Sequence, residues 1–412
     1  MTAAADQAGP TGTVLEKGQK QARLTLDEAR ERAQWLADRV RGRRRESDET
    51  RRLPDETIED FVTSDLLRMN QATRWGGHEL GQAAVVELVS KVAEGNGSSG
   101  WVFGLLSSHF WLVSVFGEEM QNEMWGSDPT AMMSSSFAAR ESSVVPVEGG
   151  YQVSGRWPYS SGSPHCSWAM VGLMAPPSGP DQPPLMRWGI VPRAEYSIAE
   201  EWDTCALRGT ASHTLVLDGV FIPEHRTVDP ALVLGGVGPG RISNPGSVFS
   251  LGFASALGWY LGATALGSAT QVVRDFAANS ATKISTFTGQ PVLSEPLAIH
   301  VGTASAHVEA ARAVMRYRSE WIDSRLAEGQ MLTREETLAS ARDATSAVRL
   351  CVDAVDVCMR FSGAAGLALS NPVQSGWRDV HGVAAHMGYN TDSIFGSWGR
   401  IMLELPLPPG FF

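Results

Sequence analysis

From Ile242 to Val273 the chain carries no charged residue. A stretch of that length fits only the hydrocarbon of a membrane or the centre of a protein. Asn244, Pro245, Gln271 and many Ser, Thr and Gly residues speak against lipid. The stretch therefore reads as a buried core helix, and such a helix needs other helices around it. Helical patterns covering Phe249–Ala278, Pro296–Glu328, Arg334–Phe361 and Val373–Leu403 supply them, and four long helices suggest an up-and-down bundle.

The preceding texture differs. Leu26, Ala29, Ala33, Leu36 and Val40 recur at helical spacing, Pro54-Asp55-Glu56 opens a further helix, and Leu80–Glu94 and Ser99–Phe116 continue the pattern across a break at Gly95-Asn96-Gly97. After Gly126 the chain turns to short alternating runs: Tyr151–Gly155 behind a Gly149-Gly150 turn, Trp168–Leu173, Trp188–Val191 and Thr214–Phe221. The expected class is α+β, mostly α. Residues 1–22 are expected to be a flexible tail, 23–125 a helical domain, 126–233 a β-barrel-like domain and 234–412 a helical bundle.

Composition narrows the function. The 412 residues hold 34 Lys and Arg against 45 Asp and Glu, a net charge of −11, which argues against broad binding to nucleic acid or anionic membrane. Four Cys without a close pair exclude a disulfide scaffold. Met1–Gly18 has no apolar core of the kind a signal peptide needs, so a cytoplasmic setting is expected. The seven Arg between Arg39 and Arg52 are interrupted by acids and read as a solvated helix end. Gly235–Gly240 lacks a preceding strand and reads as a linker; His165-Cys166 lacks a second ligand pair; Cys351 and Cys358 share a helix face and read as core. No nucleophile elbow is present.

What remains is polar residues beside large aromatics. Trp101 and His109 lie two turns apart on one helix. Met133–Phe137 and Arg156–Gly162 place hydroxyls near rings, and Trp377–His381 is followed by His386. Hydroxyls and amides of this kind can cradle a flavin edge, Trp and Phe can exclude water, and His can take a phenol proton. Seven of the 13 Trp fall between Trp101 and Trp202, and much of the Trp is expected to wall the cavity.

In this order and spacing, Arg74–Gly77, Gly100-Trp101-Val102, Trp125-Gly126, Ser134–Phe137, Gly155-Arg156-Trp157, Ser160-Ser161-Gly162, Leu207–Thr210, Pro223–Arg226 and Trp377–His381 resemble the two-component, reduced-flavin-dependent monooxygenases with the acyl-CoA dehydrogenase fold, of the hydroxyphenylacetate and steroid-phenol hydroxylase type. The dehydrogenases carry a catalytic glutamate late in the chain; here the matching segment is His386-Met387-Gly388, which favours oxygenation. The resemblance implies reduced FAD or FMN from a separate flavin reductase, dioxygen, a C4a-hydroperoxide and hydroxylation of a phenol or an indole-type aromatic. It also implies a homotetramer built as a dimer of dimers.

Site roles follow the resemblance. Ser161 matches the hydroxyl at flavin N5. Ser134, Ser135, Ser136, Trp157, Tyr159 and Ser160 match segments lining the flavin. Arg274 and Phe287 match residues that reach a neighbouring subunit's cofactor, although the pattern there stands as Ile284–Gly289, with Lys283 the candidate substitute and Gly363–Gly366 the accompanying turn. Trp101, His109, His386 and Met387 match substrate-pocket positions, with His386 and His109 as candidate catalytic groups. The competing readings are an N- or S-oxygenase of the same fold, an acyl-CoA dehydrogenase with a displaced base, and a non-catalytic scaffold.

Overall fold

The computed structural model describes residues 23–177, 184–285, 288–292 and 294–407. The tail expected over 1–22 and the cofactor role expected of Phe287 lie outside these residues.

The N-terminal region is helical: α1 (Leu26–Gly42), α2 (Arg44–Thr50), α3 (Asp55–Ser64), α4 (Gln82–Gly95), α5 (Gly97–Ser114) and α6 (Glu118–Trp125). Thr25 and Glu28 form a capping box at the start of α1. The break between α4 and α5 is made by Asn96, whose side chain accepts from Ser98 N and starts a new helix. The arginines after Arg39 are held in local pairs: Arg39 and Arg43 both reach Asp60, Arg45 reaches Glu49, and Arg52 reaches Asp55.

The middle region holds β1 (Met133–Ser136), β2 (Arg140–Val147), β3 (Gly150–Ser160), β4 (Trp168–Ala175), β5 (Leu185–Pro192), β6 (Ser197–Ala199), β7 (His213–Pro223) and β8 (Thr227–Val228). They form two four-stranded sheets, ordered β1-β4-β5-β8 and β2-β3-β7-β6. These two sheets are the β region expected between the two helical ones. Val153, Trp157, Val171, Leu173, Leu215, Leu217 and Ile222 fill the space between two separate sheets.

After the short helix α7 (Pro230–Leu234) come α8 (Phe253–Ala281), α9 (Glu295–Ala327), α10 (Arg334–Ser362), α11 (Pro372–Ala384) and α12 (Thr391–Met402). The uncharged stretch becomes α8, which packs against α4, α5, α9, α10 and α11. From Phe253 to Val273 no residue of it is exposed, which accounts for the absence of charge there. No helix of the described residues is long and apolar enough to cross a membrane. The last helical segment is two helices rather than one. A 3-10 turn, Met387–Tyr389, divides it, with His386 before the turn and Asn390 capping α12 through Ser393 N.

Candidate active site

Three domains meet around Ser161. Strand β3 ends at Ser160, and Gly162 follows at φ +70°, a left-handed turn that places Ser161 at the strand's mouth. The Ser161 hydroxyl accepts from Trp101 Nε1 of α5 at 3.0 Å and lies 2.8 Å from Ser212 Oγ. Ser212 Oγ is 2.7 Å from Thr210 Oγ1, which donates to Leu207 O at 2.9 Å. On its other side the Trp101 ring meets His386 edge-on, centroids 5.7 Å apart.

The circuit closes through Asp379 on α11, which accepts from Leu207 N at 2.7 Å. Burial raises that carboxyl to about 7. A Cβ on Gly97 would lie 2.6 Å from Asp379 Oδ2, so the first residue of α5 must be small. The Arg378 guanidinium bonds Asp48 and Cys205 O, pinning α11 to the other two domains.

The two histidines differ in the proton they offer. His386 Nδ1 accepts from Gly388 N at 3.1 Å, so the neutral ring carries its proton on Nε2. His109 Nδ1 faces Met133 O at 2.6 Å, a carbonyl that can only accept, so that nitrogen bears the proton. His109 Nε2 is then an acceptor and takes the Ser135 hydroxyl at 2.8 Å. Burial pushes both imidazoles down to about 4. At neutral pH His386 therefore presents a donor, and the Ser135–His109 pair holds a proton acceptor.

The other expected residues divide. Ser160 Oγ is fully buried and unpartnered. Ser134 is buried beside the Cys166 thiol. Ser136 donates to Pro158 O at 2.5 Å. Tyr159, at φ +69°, lines a cavity of about 190 Å³ with Arg156, Pro158, Trp202, Ser212 and Thr214. Met387 is exposed on the rim of a cavity of about 420 Å³ that also includes His386, Tyr389, Arg349 and Asp353. Trp157 is a correction: its ring fills the space between the sheets and its indole donates to Gly172 O, so it does not face a ligand. Arg274 bonds Glu94 within its own chain at 2.7 Å. Lys283 donates to Ser362 O, beside Gly363 at φ +70°, so the candidate substitute and the glycine turn do sit together.

The tryptophan expectation is corrected more broadly. Trp111 donates to Val248 O at the junction with the C-terminal region, and Trp125 packs on Trp75 and Phe110 in the interior of the N-terminal region. Trp188 packs on Phe137 and Phe253. Of the cluster, Trp101 and Trp202 reach the site. Sequence reasoning missed Ser212 and the role of Thr210. A hydroxyl two residues beyond Leu207-Arg208-Gly209-Thr210 was the available signal.

The polar set fits a flavin. An unpartnered buried hydroxyl at Ser160, a free lone pair on Ser161 and a cavity bordered by Arg156, Tyr159 and Trp202 match a flat heteroaromatic ring with hydrogen-bonding edges.

Comparison with known proteins agrees with the geometry. Residues 259–391 match the model of the acyl-CoA dehydrogenase C-terminal domain, which defines the fold class. The oxygenase subunit HsaA of a flavin-dependent monooxygenase from Mycobacterium tuberculosis is 30% identical over 379 residues, 91% of this chain and 94% of that protein. A crystal structure of the HsaA monooxygenase from that organism superposes with a TM-score of 0.87 at 27% identity, covering 93% of this chain and 99% of the other. The oxygenase component of an FADH2-dependent resorcinol hydroxylase from a Rhizobium species is 30% identical over 91% of this chain and 93% of its own length. The chain belongs to the oxygenase components of the two-component flavin-dependent monooxygenases, enzymes that use reduced flavin and dioxygen.

Proposed function

We propose that the protein hydroxylates a phenol or another electron-rich aromatic small molecule. The observation that carries this reading is the meeting of Trp101, Ser161 and His386, one from each region, with the Ser135–His109 pair two turns further along the same helix. Bound reduced flavin supplies the electrons that activate dioxygen. Ser161 holds the flavin N5 edge, and Ser160 offers it a second hydroxyl. Ser135, whose own proton goes to His109 Nε2, would accept a hydrogen bond from a substrate hydroxyl. His386 Nε2–H, at the Trp101 contact, would donate to a polar atom of the substrate and orient the ring. Trp101 covers the site against water, which favours oxygen transfer over loss as peroxide.

Two further features belong to this reading. A two-component enzyme draws reduced flavin from a reductase, of FMN or FAD type. Lys283 and the Gly363 turn lie on the outer part of the bundle, which supports a contact with a neighbouring subunit's flavin in a homotetramer. The free cysteines Cys166, Cys205, Cys351 and Cys358 support a cytoplasmic setting.

The test supplies chemically reduced flavin under air with a panel of phenols, indoles, amines and thioethers, read by mass spectrometry. Gain of one oxygen on an aromatic carbon is the expected result. Oxygen delivered only to nitrogen or sulfur would overturn the aromatic assignment.

A further inference from the structure

The hydroxyls of Thr210, Ser212 and Ser161 form a chain, and each hydroxyl has a single proton to give. Only two concerted orientations exist. In one, Thr210 donates to Leu207 O, Ser212 to Thr210, and Ser161 to Ser212, so that every proton ends on an acceptor inside the protein. Ser161 also accepts from Trp101 Nε1, and one lone pair is left facing outward. In the other, the protons all point the opposite way and Ser161 directs its own outward. Thr210 then gives up its bond to Leu207 O, a carbonyl that keeps Trp202 Nε1 and Thr210 N as donors.

Counting decides between them. A ligand that donates to Ser161 leaves the first orientation intact and adds a fourth bond to its three. A ligand that accepts from Ser161 takes its proton from Ser212, and the total stays at three whether or not the rest of the chain reverses. The N5 of reduced flavin carries a proton and donates; the N5 of oxidised flavin accepts. We propose that the Thr210–Ser212 pair makes Ser161 a hydrogen-bond acceptor and so gives the site its preference for reduced over oxidised flavin. The proposal rests on the reading that Ser161 faces N5. Thr210 and Ser212 act through Ser161 and are positioning residues. The chain runs to the edge of the cavity bordered by Tyr159 and Trp202, whose wall includes Ser212 and Thr214.

The experiment measures dissociation constants for oxidised flavin in air and for chemically reduced flavin under anaerobic conditions, and compares their ratio across variants. The wild type binds the reduced form more tightly. Thr210→Val keeps the shape and removes the terminal hydroxyl, so the Ser212 and Ser161 protons turn outward. The ratio then falls about five- to tenfold, the worth of one net hydrogen bond, mainly because oxidised flavin binds better. Thr210→Ser restores the wild-type ratio. Ser212→Ala, which frees the Ser161 proton directly, gives the same fall and carries the test if Thr210→Val does not fold. A Thr210→Val and a Ser212→Ala protein that both keep the wild-type ratio, even with both affinities weakened in parallel, would overturn the proposal. Ser161→Ala separates the two layers. A ratio unchanged in Ser161→Ala removes Ser161 from N5, whereas a ratio moved there but not in the other two leaves Ser161 in place and removes the chain.

Discussion

At the scale of single residues, the two site histidines have opposite protonation patterns, and each predicts a different result. His386 presents Nε2–H, so His386→Ala keeps flavin binding but loses coupling, with more peroxide and less product per flavin oxidised. His386→Gln, which can still donate, retains part of the coupling. His109 is held neutral by burial, with a linked pH dependence. As pH falls through 6.5 the unfolded chain gains a proton at this histidine, and the folded chain does not until about 4. Stability is therefore lost as pH falls through that window, by about 3 kcal/mol for this group at its lower end. His109→Gln keeps a donor for Met133 O and an acceptor for Ser135, and it removes this contribution. The expected outcome is a smaller drop in melting temperature between pH 6.5 and 4 than in the wild type, read by calorimetry.

The residue scale also shows what sequence could and could not reveal. Trp101, Ser161 and His386 were legible as candidates because each stands in a short motif whose order matches a family, and the structure brings the three together. Ser212 was not, because its role comes from Ser161, 51 residues away, which only tertiary folding brings to it. Trp157 was misassigned because a strand motif names a residue without saying which face of a two-sheet region it meets.

At the scale of elements, α5 is the rail on which the site is built, carrying Trp101 toward Ser161 and His109 toward Ser135. Their eight-residue spacing puts the two contacts roughly 12 Å apart along the axis. The start of α5 is fixed by the Asn96 cap, so Asn96→Ala should cost about 1 kcal/mol, seen as a lower denaturation midpoint. Gly162→Ala tests the turn instead. A methyl there meets Val102 Cγ1 at 3.1 Å and a left-handed backbone, so it should cost about 1 kcal/mol or more and shift Ser161 away from Trp101. Long helices were readable from periodicity. The division between α11 and α12 was not, because apolar spacing continues from Val373 to Leu403 while a 3-10 turn interrupts the backbone. Asn390 before Thr391-Asp392 is a capping pattern that marks the break in retrospect. That break matters for function, since it lets His386 leave the helix and turn toward Trp101.

At the scale of the whole molecule, the buried α8 fixes the bundle, and Asp379 and Arg378 of α11 fasten it to the other regions. Clamping of this kind is what lets a site assembled from three domains keep hydrogen bonds near 3 Å. The order of helical, β and helical regions was legible because each has its own period. The cross-subunit expectations concern a neighbouring chain; within this one, Lys283 meets the Gly363 turn and Arg274 is drawn to Glu94. Light scattering is expected to report a tetramer. Lys283→Ala is expected to weaken flavin binding about tenfold, the loss of one charge-assisted contact, without changing the oligomer.

The central claim is that this protein places one atom of dioxygen on an aromatic ring with electrons from reduced flavin. The most direct measurement supplies isotope-labelled dioxygen with reduced flavin and the phenol that performs best in the panel, in ordinary water. The account predicts a hydroxylated product in which the new oxygen carries the label, formed by the wild type and sharply reduced in His386→Ala. A product whose new oxygen comes from water, or complete recovery of the label as hydrogen peroxide with every aromatic offered, would contradict it.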